Sequence, residues 1–314
     1  MNFTTSIKRY FQYLKNFGPR ITFFCLLYPR FGGAKAIAKR HSEIKRYIKK
    51  EFKNVFDKYR DTPLEAETGQ GQEAPIWVCW LQGEENMPDV VNICYKSLLK
   101  HSSGKTVNLI TSENLNKYIQ VPNFILKNLD EGKISRTHFA DYIRIMLLAK
   151  YGGLWIDASV LITGDITDET QRPFYTIKQR VKHSIHYVSD YRWTVSLIGC
   201  SESSGKYMFS CLKTLFDCYL RKRTFFIDFF LFDYLIAAMY EELPAIKELI
   251  DNNRENCESF YLLSENLNKK YEEKVMHDIR EQGKFHKTSW KQELHETTAD
   301  NGQTFYGYIK NYNI

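Results

Sequence analysis

The sequence predicts a mixed α/β fold in which helices cover both faces of a mostly parallel sheet. Short apolar runs suited to buried strands alternate with amphipathic stretches of helical length between residues 76 and 156, a pattern typical of parallel sheets. The 314 residues are 43% hydrophobic and 26% charged, so the chain can bury a core in one large domain or two small ones. The seven cysteines include no CxxC pair, and reduced, mostly buried thiols in the cytosol are expected.

The first 60 residues form a basic region that is predicted to be helical. They contain 15 Lys and Arg against three acids, whereas the rest of the chain sums to −5. The longest early apolar run, residues 21–28, is too short for a membrane-spanning helix, which needs about 20 apolar residues. Two interpretations stay open: attachment to an anionic membrane surface, or a helical hairpin that packs on the rest of the chain. Since the positive charge is confined to one end, a nucleic-acid interface spread over the fold is disfavoured.

A polar stretch rich in Gly and Pro over residues 61–75 predicts a linker before a unit over residues 76–314. This unit begins with a βα pattern. The predicted elements are a strand over 76–81 that Gln82 and Gly83 end, a helix over 88–100, a strand over 106–110 and a short helix over 113–119. Strands and helices of these lengths indicate a sheet with both faces covered.

The next helix is the most strongly patterned element, and Ser135 or Thr137 is expected to cap its start. Its inward stripe recurs at i, i+4, i+7 and i+8 and consists of Phe139, Ile143, Met146 and Leu147. Gly152-Gly153 ends the helix, and residues 154–156 resume as a strand. Asp157 stands at the carboxyl end of that strand, where ligands of open α/β sheets bind, so its position alone makes it a candidate site residue.

Farther along, three more elements and a polar C-terminal third are predicted. The elements are a strand over 192–198, a helix over 203–220 and a long aromatic helical stretch over 224–250 that Pro244 interrupts. Asp228 and Asp233 lie in the aromatic stretch. Because an unpaired buried carboxylate is costly, these acids are expected at the edge of a cavity rather than in the plain core.

Asp141 and Arg144 lie three residues apart on the patterned helix, on the face opposite its apolar stripe. An acid can bind sugar hydroxyls, and a guanidinium can bind phosphate through two parallel hydrogen bonds. The alternative is an exposed ion pair that contributes about 0.2–0.5 kcal/mol. Asp157 also has two interpretations, because it can either bridge a divalent cation to a diphosphate or cap a loop at the strand end.

A run of residues around Asp157 resembles the core motif of capsular polysaccharide synthesis proteins. The run is His138-Phe-Ala-Asp-Tyr-Ile-Arg144 followed by Tyr151-Gly-Gly-Leu-Trp-Ile-Asp-Ala-Ser159. Those proteins are similar to glycosyltransferase family 32 enzymes, whose typical motif is SDxxR…YGGxYxDxD. Further matches follow in the expected order at residues 76–83, 229–234 and 286–288, so that the resemblance spans residues 74–290. Each motif alone is weak, whereas the ordered set is specific.

The resemblance implies a GT-A fold, in which a carboxylate motif of a nucleotide-binding α/β sandwich holds Mn²⁺ or Mg²⁺. Carried over by position, Trp80 matches the aromatic residue that stacks on the donor base, and a buried core role is an equal alternative. Gln82 is a second donor-binding residue by the same resemblance. Asp141 and Arg144 match the pair that contacts the donor sugar and phosphates. Asp157 matches the first acid of the metal-binding DxD motif.

One departure concerns the second acid of DxD, which is Ser159 in this chain. Ser159 is kept as a donor-binding residue, but a hydroxyl is a weaker, neutral metal ligand, and Asp165 or Asp168 is a candidate for the missing carboxylate. His286 and Lys287 resemble the segment that closes over the donor. A cation there would stabilise the leaving diphosphate, and a surface loop is the alternative.

These features predict a cytoplasmic glycosyltransferase of the hexosyltransferase type, held at the inner face of the membrane. It would take a sugar from a nucleotide sugar, with a UDP-sugar favoured, and pass it to a glycan or lipid-linked glycan. By resemblance the anomeric configuration is retained, and Asp228 and Asp233 are expected on the acceptor side. The alternative is a non-catalytic, membrane-docked subunit that binds nucleotide sugars, which the Ser159 departure permits.

Overall fold

The computed structural model describes residues 3–61, 74–180, 186–201, 203–223 and 225–311. The helices are α1 (Phe3–Thr22), α2 (Gly33–Glu51), α3 (Lys53–Asp61), α4 (Asp89–His101), α5 (Leu115–Tyr118), α6 (Asn123–Asp130), α7 (Arg136–Tyr151), α8 (Thr167–Gln171), α9 (Ser203–Lys222), α10 (Leu231–Glu242), α11 (Pro244–Asn252), α12 (Glu273–Glu281) and α13 (Phe305–Asn311). The strands are β1 (Ile76–Cys79), β2 (Val107–Ile110), β3 (Gly153–Ile156), β4 (Val160–Ile162), β5 (Tyr175–Thr176), β6 (Leu197–Cys200) and β7 (Phe285–Lys287). Most of the linker predicted over residues 61–75 lies outside the described residues.

The central sheet has five strands in the order β2-β1-β3-β6-β5. β1 pairs in parallel with both β2 and β3, whereas β6 is antiparallel to β3 and to β5. Four strands therefore point one way and β6 points the other. The mostly parallel α/β sheet flanked by helices is confirmed, and its parallel part puts the carboxyl ends of β1, β2 and β3 on one edge.

The strand predicted over residues 192–198 begins later, since β6 covers Leu197–Cys200. The preceding backbone is engaged elsewhere: the carbonyl of Val195 accepts from Arg144, and the carbonyl of Ser196 accepts from the backbone amide of Asp157 at 2.8 Å. These bonds attach the segment to the end of β3. The strand predicted for residues 192–196 is therefore wrong, because this segment instead binds Arg144 and Asp157 through its carbonyl groups.

Helix α7 follows the predicted caps and stripe. The Ser135 hydroxyl accepts from the backbone amide of His138 at 3.2 Å, and Gly152 ends the helix with φ of 67°. Gly153 has φ of 92°, and a Cβ there would lie 2.1 Å from the carbonyl oxygen of Pro75, so only glycine fits. The face opposite the stripe is not exposed, because Asp141 and Arg144 are both buried. An exposed Asp141–Arg144 ion pair is therefore excluded.

Among the N-terminal helices, α2 packs on α10 and α3 packs on α9, and residues of α1 belong to the same hydrophobic core. Buried residues of these helices, which include Tyr13, Phe17, Ile44, Ile48 and Phe56, belong to one cluster with α7, α9 and α10. The Tyr13 hydroxyl donates to the carbonyl of Ile227 at 2.7 Å. Of the two interpretations of this region, packing on the rest of the chain is therefore observed, and attachment to a membrane surface stays a prediction. Among the described residues, no helix combines the length and apolar content that crossing a bilayer requires.

The aromatic stretch predicted over 224–250 forms two helices, α10 and α11, and Pro244 is the first residue of the second one. The segment before α10 is not helical, because the Asp228 carboxylate accepts from the backbone amide of Phe230 at 2.9 Å and pairs with Arg40 of α2. A second sheet of two antiparallel strands joins β4 to β7 and brings the C-terminal part of the chain against the end of β3.

Candidate active site

Asp157 follows β3 directly and lies where the parallel strands end. Its Oδ1 atom accepts from Nε1 of Trp155 at 2.9 Å and from the guanidinium of Arg144 at 3.0 Å. Its Oδ2 atom lies 3.5 Å from Nζ of Lys287. Burial alone would raise the pKa of Asp157, but Arg144 and Lys287, with hydrogen bonds from Trp155 and Ser196, hold it below the ordinary value. Asp157 is therefore an ionised carboxylate between two cations.

Arg144 reaches this carboxylate from the middle of α7. Its side chain is almost fully buried and its guanidinium lies over the rings of Trp155 and Phe232, at 4.8 and 5.4 Å from their centroids. It also donates to the carbonyl of Val195. Hydrogen bonds within the protein therefore fix Arg144 as a support for Asp157. The predicted contact of Arg144 with donor phosphates stays a prediction.

Lys287 comes from the other end of the chain, through the pairing of β7 with β4. Residue 287 is opposite Val160 in that ladder, and the backbone amide of Thr288 donates to the Ser159 carbonyl at 2.8 Å. The Lys287 ammonium donates to the Ser159 hydroxyl and faces Asp157. The structure thus joins three residues that the sequence named separately, Asp157, Ser159 and Lys287.

Asp141 lies on α7 one turn before Arg144, and its Oδ1 atom is 3.6 Å from that guanidinium. Burial raises the pKa of Asp141 to about 7, while Arg144 lowers it and the charges of Asp157 and Asp233 raise it further. Asp233 of α10 accepts from Nε1 of Trp193 at 3.0 Å, and burial raises the pKa of this second carboxyl to about 6. Asp141 is thus a buried acid and Asp233 a half-buried one next to the Asp157 cluster, and both have the raised pKa that acids of functional sites often have.

Trp80 and Gln82 follow β1 at the same edge of the sheet. Trp80 is partly exposed, packs edge-on against Trp290 with centroids 5.4 Å apart, and donates from Nε1 to the carbonyl of Asn86 at 3.1 Å. A buried core role for Trp80 is therefore wrong, and stacking on a base stays a prediction. Gln82 is exposed and borders a groove of about 640 Å³ between the ends of β1 and β2 and the start of α7, beside Ser112 and Arg136.

Two predicted site residues are not brought to this cluster. The His286 side chain is fully buried on the other face of β7, where Nε2 lies 3.0 Å from the Thr163 hydroxyl, and burial lowers its pKa to about 4. Asp228 is paired with Arg40 and accepts from the backbone amide of Phe230, just before α10. Their contacts support structural roles, because neither side chain reaches Asp157.

Sequence reasoning missed two aromatic residues near Lys287. The Tyr261 hydroxyl forms a hydrogen bond with the Thr194 hydroxyl at 3.2 Å. The residue before it, Phe260, accepts a hydrogen bond at its carbonyl from the Lys287 backbone amide at 2.6 Å. Trp290 is the edge-on partner of Trp80. The segment around Tyr261 shows no helical or strand periodicity, so nothing in the sequence marked it. Trp290 follows the predicted 286–288 motif and could have been included with it.

Around Asp157, the side chains at the two DxD positions offer a divalent metal one carboxylate and one hydroxyl, and both of them lie beside the Lys287 ammonium. Within the described parts of the chain, no three His, Cys, Asp or Glu side chains are grouped as metal ligands. Asp165 accepts from the backbone amide of Thr167 at the start of α8, and Asp168 is exposed on that helix, so neither supplies a second carboxylate to Asp157. Mg²⁺ requires near-octahedral oxygen ligands at about 2.0–2.1 Å, whereas Asp157 and Ser159 both face the ammonium of Lys287.

An ionised acid and two cations thus lie at the carboxyl end of β3, the edge at which α/β sheets bind their ligands. Comparison with known families identifies the class. The sequence model of a family described as capsular polysaccharide synthesis protein matches residues 31–309. The chain therefore belongs to this family, and membership together with the site supports a glycosyltransferase.

Comparison with solved structures gives the apo structure of the bifunctional glycosyltransferase WbbM, at 11% sequence identity and a TM-score of 0.40. The match covers 79% of this chain and 51% of that chain, so the present chain spans about half the length of WbbM in that structure. No curated protein matches the chain.

Proposed function

We propose that the protein transfers a sugar from a nucleotide-sugar donor, with a UDP-sugar favoured, to a glycan acceptor in capsule synthesis. The observation that carries the proposal is the cluster of Asp157, Arg144 and Lys287 at the carboxyl end of β3, beside the buried acid Asp141. Two cations, Arg144 and Lys287, face the Asp157 carboxylate, and the partly exposed Lys287 ammonium suits a diphosphate oxygen. The groove beside Gln82 has room for the nucleoside.

In the proposed reaction, the bond between the anomeric carbon of the sugar and the β-phosphate oxygen breaks, and its electron pair stays on that oxygen. The acceptor hydroxyl forms the new bond to the anomeric carbon. With retention of configuration, attack occurs on the face that the diphosphate leaves, so that the hydroxyl proton passes to the departing phosphate. The protein then contributes mainly by positioning and by stabilising the charge that grows on the diphosphate. Asp141 is placed to accept hydrogen bonds from hydroxyls of the donor sugar.

The acceptor is expected on the side of Asp233. Trp193, whose Nε1 binds that carboxylate, also lines a cavity of about 260 Å³ between α2, α10 and residues 187–193. One wall of this cavity belongs to the N-terminal helices, which therefore contribute to the acceptor side as well as to the core. A lipid-linked glycan delivered along those helices is the proposed form of the acceptor.

Purified protein incubated with UDP-sugars and a capsular glycan acceptor should release UDP, and NMR of the product should show the retained anomer. Asp157→Asn should lower the rate at least 100-fold, since removing one electrostatic contact at a reacting centre typically costs that much. Asp278→Asn, on the exposed face of α12, is the matched control and should retain the wild-type rate. A wild type that binds nucleotide sugars tightly but never turns over would instead establish the non-catalytic binding subunit.

We further propose that the N-terminal helices hold the protein on an anionic membrane surface. Two phenylalanines of this region are largely exposed, Phe11 at 61% and Phe31 at 69%. Exposed cations lie close to them in the sequence, at Lys8, Arg9, Arg30 and Lys35. Apolar side chains within a basic surface are typical of interfacial binding, where each cation near anionic lipid contributes about 1 kcal/mol. Removal of residues 1–60 would expose the core, so point variants are the appropriate test.

Vesicles of phosphatidylglycerol should co-sediment the wild type, and vesicles of phosphatidylcholine should do so weakly. The double variant Phe11→Ser, Phe31→Ser should lose at least tenfold in vesicle affinity because two apolar anchors are removed. Leu99→Ser, at a side chain of α4 that is 45% exposed, should behave as the wild type. Equal binding by the double variant and the wild type would contradict membrane attachment through this region.

A further inference from the structure

The Lys287 ammonium lies against the hydroxyl of Ser159, which stands at the second acidic position of the DxD motif. β7 pairs with β4, and Thr288 binds the Ser159 carbonyl through both its backbone amide, at 2.8 Å, and its hydroxyl, at 3.0 Å. The Lys287 side chain is 20% exposed, so its ammonium is largely fixed by the protein while one side still opens to ligands. A compact cation in a defined position is what a diphosphate site requires.

The two residues at the DxD positions both contact this ammonium. Asp157 faces it with Oδ2, and Ser159 accepts a hydrogen bond from it. The other oxygen of Asp157 is already bound by Arg144 and Trp155. A divalent cation would therefore have to displace Lys287 and would find a neutral hydroxyl in place of a carboxylate. The family resemblance predicts a metal here, and the arrangement of these residues disagrees with it.

We infer that the ammonium of Lys287 acts in place of the divalent cation and binds the donor diphosphate directly, so that binding needs no metal; this rests on the proposed function. An ammonium has three donors. One is given to Ser159 and one points toward Asp157, which leaves one for a phosphate oxygen. During transfer the leaving diphosphate gains one negative charge, and Lys287 stabilises it by this hydrogen bond with no change in its own protonation.

Serine at position 159 is part of the same arrangement. A second carboxylate there would pair with the ammonium and cancel the positive charge that the diphosphate needs. The neutral hydroxyl accepts a hydrogen bond and orients the ammonium but leaves its charge available. Ser159 is accordingly a positioning residue for Lys287, and Asp157 orients the ammonium from the other side.

The test is calorimetric titration of the purified full chain with UDP, GDP and inorganic pyrophosphate, in EDTA and again in Mn²⁺. The wild type should bind at least one of these probes with affinities that agree within about threefold in the two buffers. Lys287→Met should weaken binding in EDTA at least tenfold. Lys274→Met, which removes the same charge from an exposed position on α12, should bind as the wild type. Thermal unfolding of each variant checks that it is folded.

Ser159→Asp provides a second variant that keeps Lys287 in place. It should bind the same probe at least tenfold more weakly in EDTA, and Mn²⁺ should restore the affinity, because it supplies the missing carboxylate. Wild-type binding that requires Mn²⁺, or Lys287→Met binding at wild-type affinity in EDTA, would overturn the inference and leave the transferase proposal standing. If no probe binds in either buffer, the nucleotide-sugar proposal fails and the inference fails with it.

Discussion

Asp141→Asn is expected to make the folded protein more stable above neutral pH while it removes activity. Burial raises the pKa of Asp141 to about 7, whereas an unfolded aspartate titrates near 3.9. The folded state therefore holds a proton that the unfolded state releases. Stability from this group is fully present below about pH 4 and is lost as the pH rises toward 7, at about 1.4 kcal/mol per pH unit. Asparagine keeps the shape and the neutral form at every pH.

The difference in unfolding free energy between Asp141→Asn and the wild type should grow in favour of the variant by about 2–3 kcal/mol between pH 5 and pH 8, and then level off. In a protein of this size that corresponds to a rise of about 5 °C in Tm relative to the wild type. The charged groups that face Asp141 are Arg144, Asp157 and Asp233. They are present in both proteins, so comparison at each pH isolates the contribution of Asp141.

Urea unfolding followed by circular dichroism at pH 5, 6, 7 and 8 measures this difference, and donor turnover at pH 7.5 measures the activity. Activity should fall at least 100-fold, because the substituted side chain would offer an amide where a carboxylate contacts the donor sugar. The control, Asp278→Asn, should differ from the wild type by less than about 0.5 kcal/mol at every pH. A gap that stays constant from pH 5 to pH 8, or a variant less stable than the wild type at pH 8, would refute the reasoning.

Three further changes test the supports of the site. Gly153→Ala should lower the free energy of unfolding measured in urea by about 2 kcal/mol or more, because φ is 92° and a Cβ would meet the Pro75 carbonyl. The control Gly164→Ala, at a glycine with no positive φ, should be nearly neutral. Equal effects of the two substitutions would contradict the argument. Arg144→Lys should cost about 2 kcal/mol and at least tenfold in turnover, because the guanidinium hydrogen bonds to Asp157 and to the Val195 carbonyl and the contact with the Trp155 ring are lost. Unchanged turnover would show that Asp157 is positioned without Arg144. A hydrogen bond from Arg20 holds the pKa of buried Glu43 at about 2. Glu43→Gln should therefore lower the free energy of unfolding by about 1–2 kcal/mol at pH 7, and this difference from the wild type should close as the pH falls from about 4.5 to 2. A difference that is independent of pH would contradict this.

The elements with local signals could be predicted from the sequence. α7 carries its apolar stripe, its Ser135 cap and its terminal glycines within one short stretch, and all three features are observed. The parallel strands β1, β2 and β3 are short apolar runs between helices, and their order of appearance sufficed to predict the class of sheet. In each case the energetic reason for the structure lies between neighbours in the chain, where a pattern can express it.

The environment of the site residues could not be predicted in the same way. Asp141 and Arg144 occupy the polar face of α7, yet they are buried because α10 and the segment around Val195 cover that face. The sequence also could not tell His286 from Lys287. Alternation along β7 sends Lys287 toward Asp157 and His286 into the core, and only the pairing with β4 determines which residue faces which way.

The pairing of β4 with β7 gives the serine at position 159 and the lysine at position 287 a common explanation. Taken alone, the serine weakens a metal motif, and the lysine is one cation in a short C-terminal match. The β4–β7 ladder places the ammonium against both DxD positions, across 128 residues of sequence, so the loss of one carboxylate and the presence of one lysine are parts of the same electrostatic arrangement. A second acid would neutralise the lysine, and a lysine beside two acids would compete with a metal. Each residue therefore constrains the other, and the change at either position should alter how the site responds to Mn²⁺.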